Sequence, residues 1–465
     1  MSTSARTVEV AGGHVVAGNI AARIDRLPLI WVQYLLAAVT QIYWGIIIDA
    51  DGFISRIYPF VWQPLGMTVV EFSVILASNI GAGILVGEYL GGYLSDRFGR
   101  RSVLLASAVI VGGLMWPIAL TNSTGWLLLW NFTYAIGMGF MLATNAVYLH
   151  EVAPPGTRHR LAMRTQLLTA VCGLLPSVLA FSLIPARYQW FIYGLALAQF
   201  VILVPLGLLL PESPRWLESK GRVEEADRIV SRWERWAERR RGPLPEPVEG
   251  RHPVVQMRRV PARELFRGEY GRRTVLVLAV WLIGYPGIVY GGITYIVTYL
   301  AGHHWSAPEI FLWTGIVAAP MRVVGFFACS LLGERVERKY IVFVAGCLWS
   351  LCYLGLLVVH TKVGQAILIL CSFPLASLWL FNMYNYTSAA YPTRLRSVGT
   401  GWTDGVGHLG TFLGPLVIGP LFALTAAHNN YGWILWVVAC TLIPSALIAR
   451  YGMRQRAGIL EELST

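Results

Sequence analysis

The sequence predicts an all-α membrane protein, with twelve transmembrane helices in two six-helix bundles related by a parallel repeat. Three observations predict it. The 465 residues are 55% hydrophobic and only 13% charged, whereas a soluble domain carries about 25% charged residues. Roughly twelve apolar stretches reach the length of about 20 residues that a helix needs to cross a bilayer. They are too long and too continuously apolar for barrel strands. Finally, two loops recur. GGYLSDRFGRR (91–101) aligns with LGERVERK (332–339), placing Gly92 on Gly333, Asp96 on Glu337 and Arg97 on Arg338. EVAPPGTR (151–158) and AAYPTRLR (389–396) recur at nearly the same offset, as expected of a duplicated half-length bundle.

Taken in order, a polar tail precedes the first span, with no compact apolar core or small-residue cleavage site, so span 1 is expected to act as an uncleaved insertion signal. The first six spans are read at 29–50, 68–91, 103–120, 125–150, 167–185 and 189–210. A polar stretch rich in Arg, Glu and Pro follows. Within it, 222–241 has helical charge patterning: Glu224 and Arg228 stand four apart, as do the like-charged Glu234 and Glu238. The expectation is an amphipathic helix against the inner face of the membrane, ended by GPLPEPVEG (242–250). The second six spans are read at 274–300, 309–332, 340–359, 364–390, 398–425 and 431–450. The organisation is therefore an N-terminal bundle (1–210), a linker (211–273) and a C-terminal bundle (274–465).

Charge sets the orientation. Of the 37 Lys and Arg residues, only Arg56, Arg187, Arg322 and Lys362 lie outside the tails and alternate loops. Both termini are then expected to be cytoplasmic, which requires an even number of spans. The net charge of +12 is spread over these loops rather than gathered in one patch, so no nucleic-acid partner is expected. The six cysteines fall inside apolar runs without CxxC spacing and read as small buried hydrophobes. No phosphate-binding loop, nucleophile elbow or metal-ligand spacing is visible. The chain is read as a non-enzyme without cofactors.

GGYLSDRFGRR resembles the signature loop between spans 2 and 3 of the major facilitator superfamily. PESPRWLESKGR (211–222), YLHEVAPPGTRHR (148–160) and YPTRLRSVGTG (391–401) resemble loops of its sugar-porter and organic-ion branches. The resemblance covers essentially the whole chain. It implies that the loop carrying Gly92, Asp96, Arg97, Arg100 and Arg101 latches the two halves when a carrier faces outward. Glu337, Arg338 and Arg396 are the second-half counterparts. Gly92 is expected to permit close helix approach, and Glu151 with Arg158 is a second candidate pair, although basic loops are expected there as topology signals alone. The chain departs from the pattern at Lys339–Tyr340, which stand where the first copy has Phe98–Gly99. It departs again at Ala389, where an acid is expected, and at Asn131, where an Arg often opens span 4.

Ionisable groups inside spans are functional candidates by default. Asp49 and Asp51, in IIIDADGFISR, resemble the span-1 aspartate of proton symporters, and either one is the candidate proton carrier. Asp404 and His408 stand four apart in span 11, on one helical face, and are the next candidates. Arg322 lies about 16 Å of helix before Gly333, near the midplane. An Arg there needs an anion, either Asp404 or the substrate itself. Tyr285 and Tyr290 in span 7, and Trp379, Asn382 and Asn385 in span 10, are candidate substrate contacts. Aromatic girdles account equally well for Tyr and Trp.

The resulting expectation is a monomeric, multi-pass cell-membrane protein, in the inner membrane if bacterial. Its partners are a small organic solute, protons and the lipid bilayer, and the solute is expected to be an organic or aromatic carboxylate moved by proton symport. A sugar or polyol carrier, a drug exporter and a non-transporting sensor are the alternatives.

Overall fold

The computed structural model describes residues 20–154, 157, 161, 165, 168–169, 171–247, 262–332, 335–391, 393–426 and 432–454, and all regular structure among them is helical. A short α1 (Ile20–Asp25) leads into α2 (Trp31–Arg56) and α3 (Tyr58–Val61). The second span is built from α4 (Val69–Leu76), a wider π-helical segment Ala77–Gly83, and α5 (Ile84–Phe98). Next come α6 (Arg100–Leu120), α7 (Thr124–Val152), α8 (Leu174–Leu183) and α9 (Tyr188–Leu209). Between the halves lie α10 (Pro214–Ser219) and α11 (Val223–Arg241). The second half opens with α12 (Gly268–Tyr285), a π segment Pro286–Tyr295 and α13 (Ile296–Gly302). It continues through α14 (Ala307–Phe311), a π segment Leu312–Ile316 and α15 (Ala318–Leu332). The last helices are α16 (Arg338–Gly355), α17 (Lys362–Ala389), α18 (Thr393–Ala426) and α19 (Gly432–Tyr451).

Ten helical runs among the described residues are long and apolar enough to cross a membrane, and α8 and α16 lie on the two other stretches read as spans. Local chemistry sets the boundaries. Thr68 and Glu71 form a reciprocal capping box at the start of α4, as Ser306 and Glu309 do at α14. Gly99, at φ 101°, separates α5 from α6. Glu212 then fills the turn and accepts bonds from the backbone N–H groups of Arg100 (2.8 Å) and Ser213 (2.9 Å), so two of the signature loops interlock. Pro286 cannot donate a helical hydrogen bond, and the ladder widens after it.

At the end of the molecule opposite the termini, the halves pack tightly. A Cβ on Gly81 would stand 2.4 Å from the Phe412 Cα, so only glycine lets the second span and α18 approach this closely. Thr411 donates to the Ile80 carbonyl at 3.4 Å, and the Ser73 and Tyr295 hydroxyls bond across the same seam. Phe60 and Phe311 meet edge-on with centroids 5.8 Å apart.

At the terminus end, the apolar face of α11 (Ala226, Val230, Trp233, Ala237) joins a core with Ile20, Ile24 and Trp216, so this amphipathic helix buries its apolar face against protein. The like-charged spacing of Glu234 and Glu238 is tolerated because Glu234 is taken by two guanidinium groups, Arg23 at 2.7 Å and Arg26 at 2.6 Å. Arg23 also reaches Asp227 at 2.6 Å, while the expected Glu224–Arg228 pair is long at 3.8 Å and exposed. The expectation for Gly92 is corrected: a Cβ there would meet nothing within 4 Å, and the close helix approach is made one residue earlier, at Gly91 against Phe140.

Candidate transport site

Span 1 stays helical through Asp49 and Asp51 to Arg56, and all three side chains are buried. Asp49 Oδ1 accepts from Arg322 Nη1 at 2.7 Å. The pair joins the first half to the second, 273 residues apart, and gives Arg322 a partner that the sequence reading did not put forward. The side chain of Asp404 lies outside the described residues. Arg322 retains 21% side-chain exposure, against 7% for Asp49. Its Nε and Nη2 are buried without a hydrogen-bond partner among the described residues. Arg56 lies close enough to feel both charges.

Asp51, two residues on, takes a different environment. It accepts from Asn79 Nδ2 at 3.1 Å, and Asn79 also donates to Asn131 at 3.2 Å. Asn131 anchors itself on the Leu127 carbonyl at 2.8 Å. Asn79 sits in the π segment of span 2, and Tyr134 adds a buried hydroxyl within electrostatic reach of Asp51. The two aspartates are thus sorted: Asp49 bridges the halves, and Asp51 belongs to an amide network of the first half.

In the second half, spans 7, 10 and 11 assemble an aromatic wall. The Tyr285 and Tyr384 hydroxyls bond at 2.8 Å, and the His408 ring stands 4.9 Å from Tyr285. Trp281 packs on Tyr285 and Tyr384 at centroid distances of 4.7 and 4.8 Å. Trp379 is fully buried behind this wall, donating to Ser445 at 2.9 Å. Asn382 is also buried and spends its amide on the Leu378 carbonyl (2.8 Å) and Cys329 (3.4 Å). Asn385 is half-buried. The Tyr290 side chain lies outside the described residues.

The first-half latch residues lie at the terminus end and, among the described residues, Arg100 and Arg101 bond within their own half. Arg100 forms a fork on Glu151, at 2.9 and 3.1 Å, and also reaches Asp96 at 2.8 Å. Glu151 therefore pairs with Arg100 where Arg158 was expected, and Arg158 lies outside the described residues. Arg101 donates to the Gly207 carbonyl at 2.6 Å. Arg97 is exposed, and the Asp96 side chain is 76% exposed. Glu337 precedes the first residue of α16, Arg338 is half-buried, and the Arg396 side chain lies outside the described residues.

Sequence reasoning missed Asn79 and Tyr134, and it gave Arg56 and Tyr384 no role of their own. Asn79 and Arg56 were visible as polar residues at the centre and end of apolar runs. The two tyrosines carried no signal separating them from an interfacial girdle.

The profile of the family described as sugar (and other) transporter matches residues 13–455. The niacin transporter NiaP of Acinetobacter baylyi is 26% identical over 96% of this chain and 99% of its own. The putative metabolite transport protein YyaJ of Bacillus subtilis is 26% identical over 94% and 96%. Among solved structures, the inward-open xylose transporter XylE from E. coli superposes with a TM-score of 0.66 at 17% identity, covering 92% of this chain and 98% of that one. With its helical membrane fold and its signature loops at the expected places, the chain belongs to the sugar (and other) transporter family of the major facilitator superfamily, and it is a multi-pass secondary transporter.

Proposed function

We propose that this transporter moves a small aromatic carboxylate together with a proton, through twelve helices in two bundles with both termini cytoplasmic. The observation that carries this reading is the part-buried Asp49–Arg322 pair joining the two halves, with two buried guanidinium nitrogens that find no acceptor among the described residues. A buried guanidinium stays charged and favours planar anions, which it binds through two parallel bonds. Protonating Asp49 removes its claim on Arg322, and a substrate carboxylate can then take its place. One proton and one anion enter together, and the site's net charge is unchanged. The wall formed by Tyr285, Tyr384 and His408 offers ring faces to an aromatic body. Niacin, named for the Acinetobacter relative, is a small molecule of this kind.

A sugar substrate is the second reading, favoured by the family description and by the likeness to XylE. Uptake into proteoliposomes with an imposed inside-alkaline gradient separates the two. The proposal expects accumulation of aromatic acids, with no accumulation of their neutral amides or of pentoses. Gradient-driven pentose uptake without acid uptake would favour the sugar reading.

A further inference from the structure

We infer that Asn79 reads the protonation state of Asp51 and passes it to the seal between the halves, so that a proton on Asp51 holds the end opposite the termini closed. The identity of the solute plays no part in this, and Asp49 keeps the role given to it above.

Asp51 is 6% exposed and Asn79 4%. Asp49 and Arg56 stand on the same span as Asp51, Arg322 reaches Asp49 from the second half, and Tyr134 of span 4 lies within electrostatic reach. Span 2 brings the neutral amide of Asn79, whose Nδ2 donates to Asp51 Oδ1 at 3.1 Å and to Asn131 Oδ1 at 3.2 Å. That amide cannot be turned round. Asn131 gives its own Nδ2 to the Leu127 carbonyl at 2.8 Å, so it shows Asn79 an acceptor, and Asn79 must answer with its amino group. Asn79 Oδ1 is then left buried without a partner among the described residues.

This oxygen distinguishes the two forms of Asp51. An ionised carboxylate only accepts, so it takes the N–H and leaves Asn79 Oδ1 without a donor. A protonated carboxyl both accepts and donates. Its carbonyl oxygen keeps the bond from Nδ2, and its O–H supplies the donor that Oδ1 lacks, closing a two-bond acid–amide pair. A buried acceptor without a donor is costly, so Asn79 is held in place more firmly when Asp51 carries the proton.

Asn79 lies in the π segment Ala77–Gly83, and the same segment makes the seal. The next residue, Ile80, accepts from Thr411 of α18 through its carbonyl at 3.4 Å, and Gly81 packs against the Phe412 backbone. Fixing Asn79 fixes these neighbours within one turn of helix. Proton binding and closure are therefore linked: the sealed arrangement binds the Asp51 proton more tightly, and acid favours the sealed arrangement.

The test uses full-length protein without solute, its six native cysteines replaced. Spin labels are attached through Leu65→Cys and Val358→Cys, at two exposed positions on the two halves, both opposite the termini. Pulsed EPR distances then give the ratio of sealed to open molecules between about pH 5 and 8. In the otherwise unaltered protein this ratio should rise about fivefold toward acid, the effect of about one hydrogen bond. Asn79→Ala should flatten the profile. Asp51→Asn, whose amide donates to Asn79 Oδ1 as the protonated acid would, should keep the acid-side ratio at every pH. A ratio that ignores pH in the unaltered protein, or an unaltered profile in either variant, overturns the link. If Asn79→Ala fails to fold, Asp51→Asn decides alone. Because no solute is present, a protein that accumulates no aromatic acid would defeat the acid-transport reading and leave these profiles standing.

Discussion

Arg322 is a half-buried cation that holds one carboxylate and keeps donors to spare among the described residues, and most of the functional account hangs on that imbalance. A hydrogen bond to a charged group is worth about 1.5–3 kcal/mol, roughly ten- to a hundredfold in affinity. Arg322→Lys, which keeps the charge but loses the fork, should weaken acid binding by about that factor and leave a neutral isostere unaffected. Equal loss for both ligands, measured by competition, would reduce Arg322 to a structural role. Removing either partner of a buried pair leaves the other uncompensated, so Asp49→Ala and Arg322→Ala should each lower the yield of folded protein. The double mutant should recover much of the loss. The sequence marked Arg322, Asp49 and Asp51 because a charge in an apolar run has few bland explanations. It could not pair them. Asp404 was the nearer candidate in the same half, and no periodicity links residues 273 positions apart.

Among the elements, the long helices were legible because length and hydropathy alone define a membrane span. The π segments were not: the wider turn at Ala77–Gly83 carries Asn79, which bonds Asp51 and Asn131, and no local propensity in the sequence announces it. The clamp formed by α1 and α11 was half legible: the amphipathic pattern showed the helix but not its cover. Burial works against the Glu234 carboxylate, but hydrogen bonds from Arg23 and Arg26 outweigh it and hold its pKa below the ordinary 4.5. A carboxylate depressed in the folded state stabilises above its unfolded pKa and loses that contribution as pH falls through the folded value. The clamp should therefore be intact at neutral pH and loosen only in acid below the ordinary carboxylate range. Glu234→Gln should cost about 1–2 kcal/mol at pH 7. It should also raise protease cleavage between α1 and α2 at neutral pH, and the difference from wild type should vanish in acid. Cleavage that ignores both the substitution and pH would show that the ion pairs do not hold α1.

At the scale of the whole molecule, the halves are sealed at the end opposite the termini, through Gly81, Ser73, Tyr295 and Thr411, and joined at mid-depth by Asp49–Arg322. At the terminus end, Asp96 is largely exposed and its partner Arg100 belongs to its own half. Among the described residues, Asp96, Arg100 and Glu151 pair with one another in the first half, so the contact expected between the halves is not made by them here. Asp96→Asn should slow turnover while leaving ligand affinity within a few fold, because the latch acts on the opposite state. Unchanged turnover would take the latch out of the account. The central claim is that one ion pair couples the acid to the proton. Its most direct test is the accumulation of a radiolabelled aromatic acid in proteoliposomes, with and without an inside-alkaline gradient, for wild type and Asp49→Asn. The account predicts gradient-driven accumulation by wild type. It predicts that Asp49→Asn exchanges labelled for unlabelled acid but accumulates none. Accumulation by Asp49→Asn that still follows the gradient would contradict it.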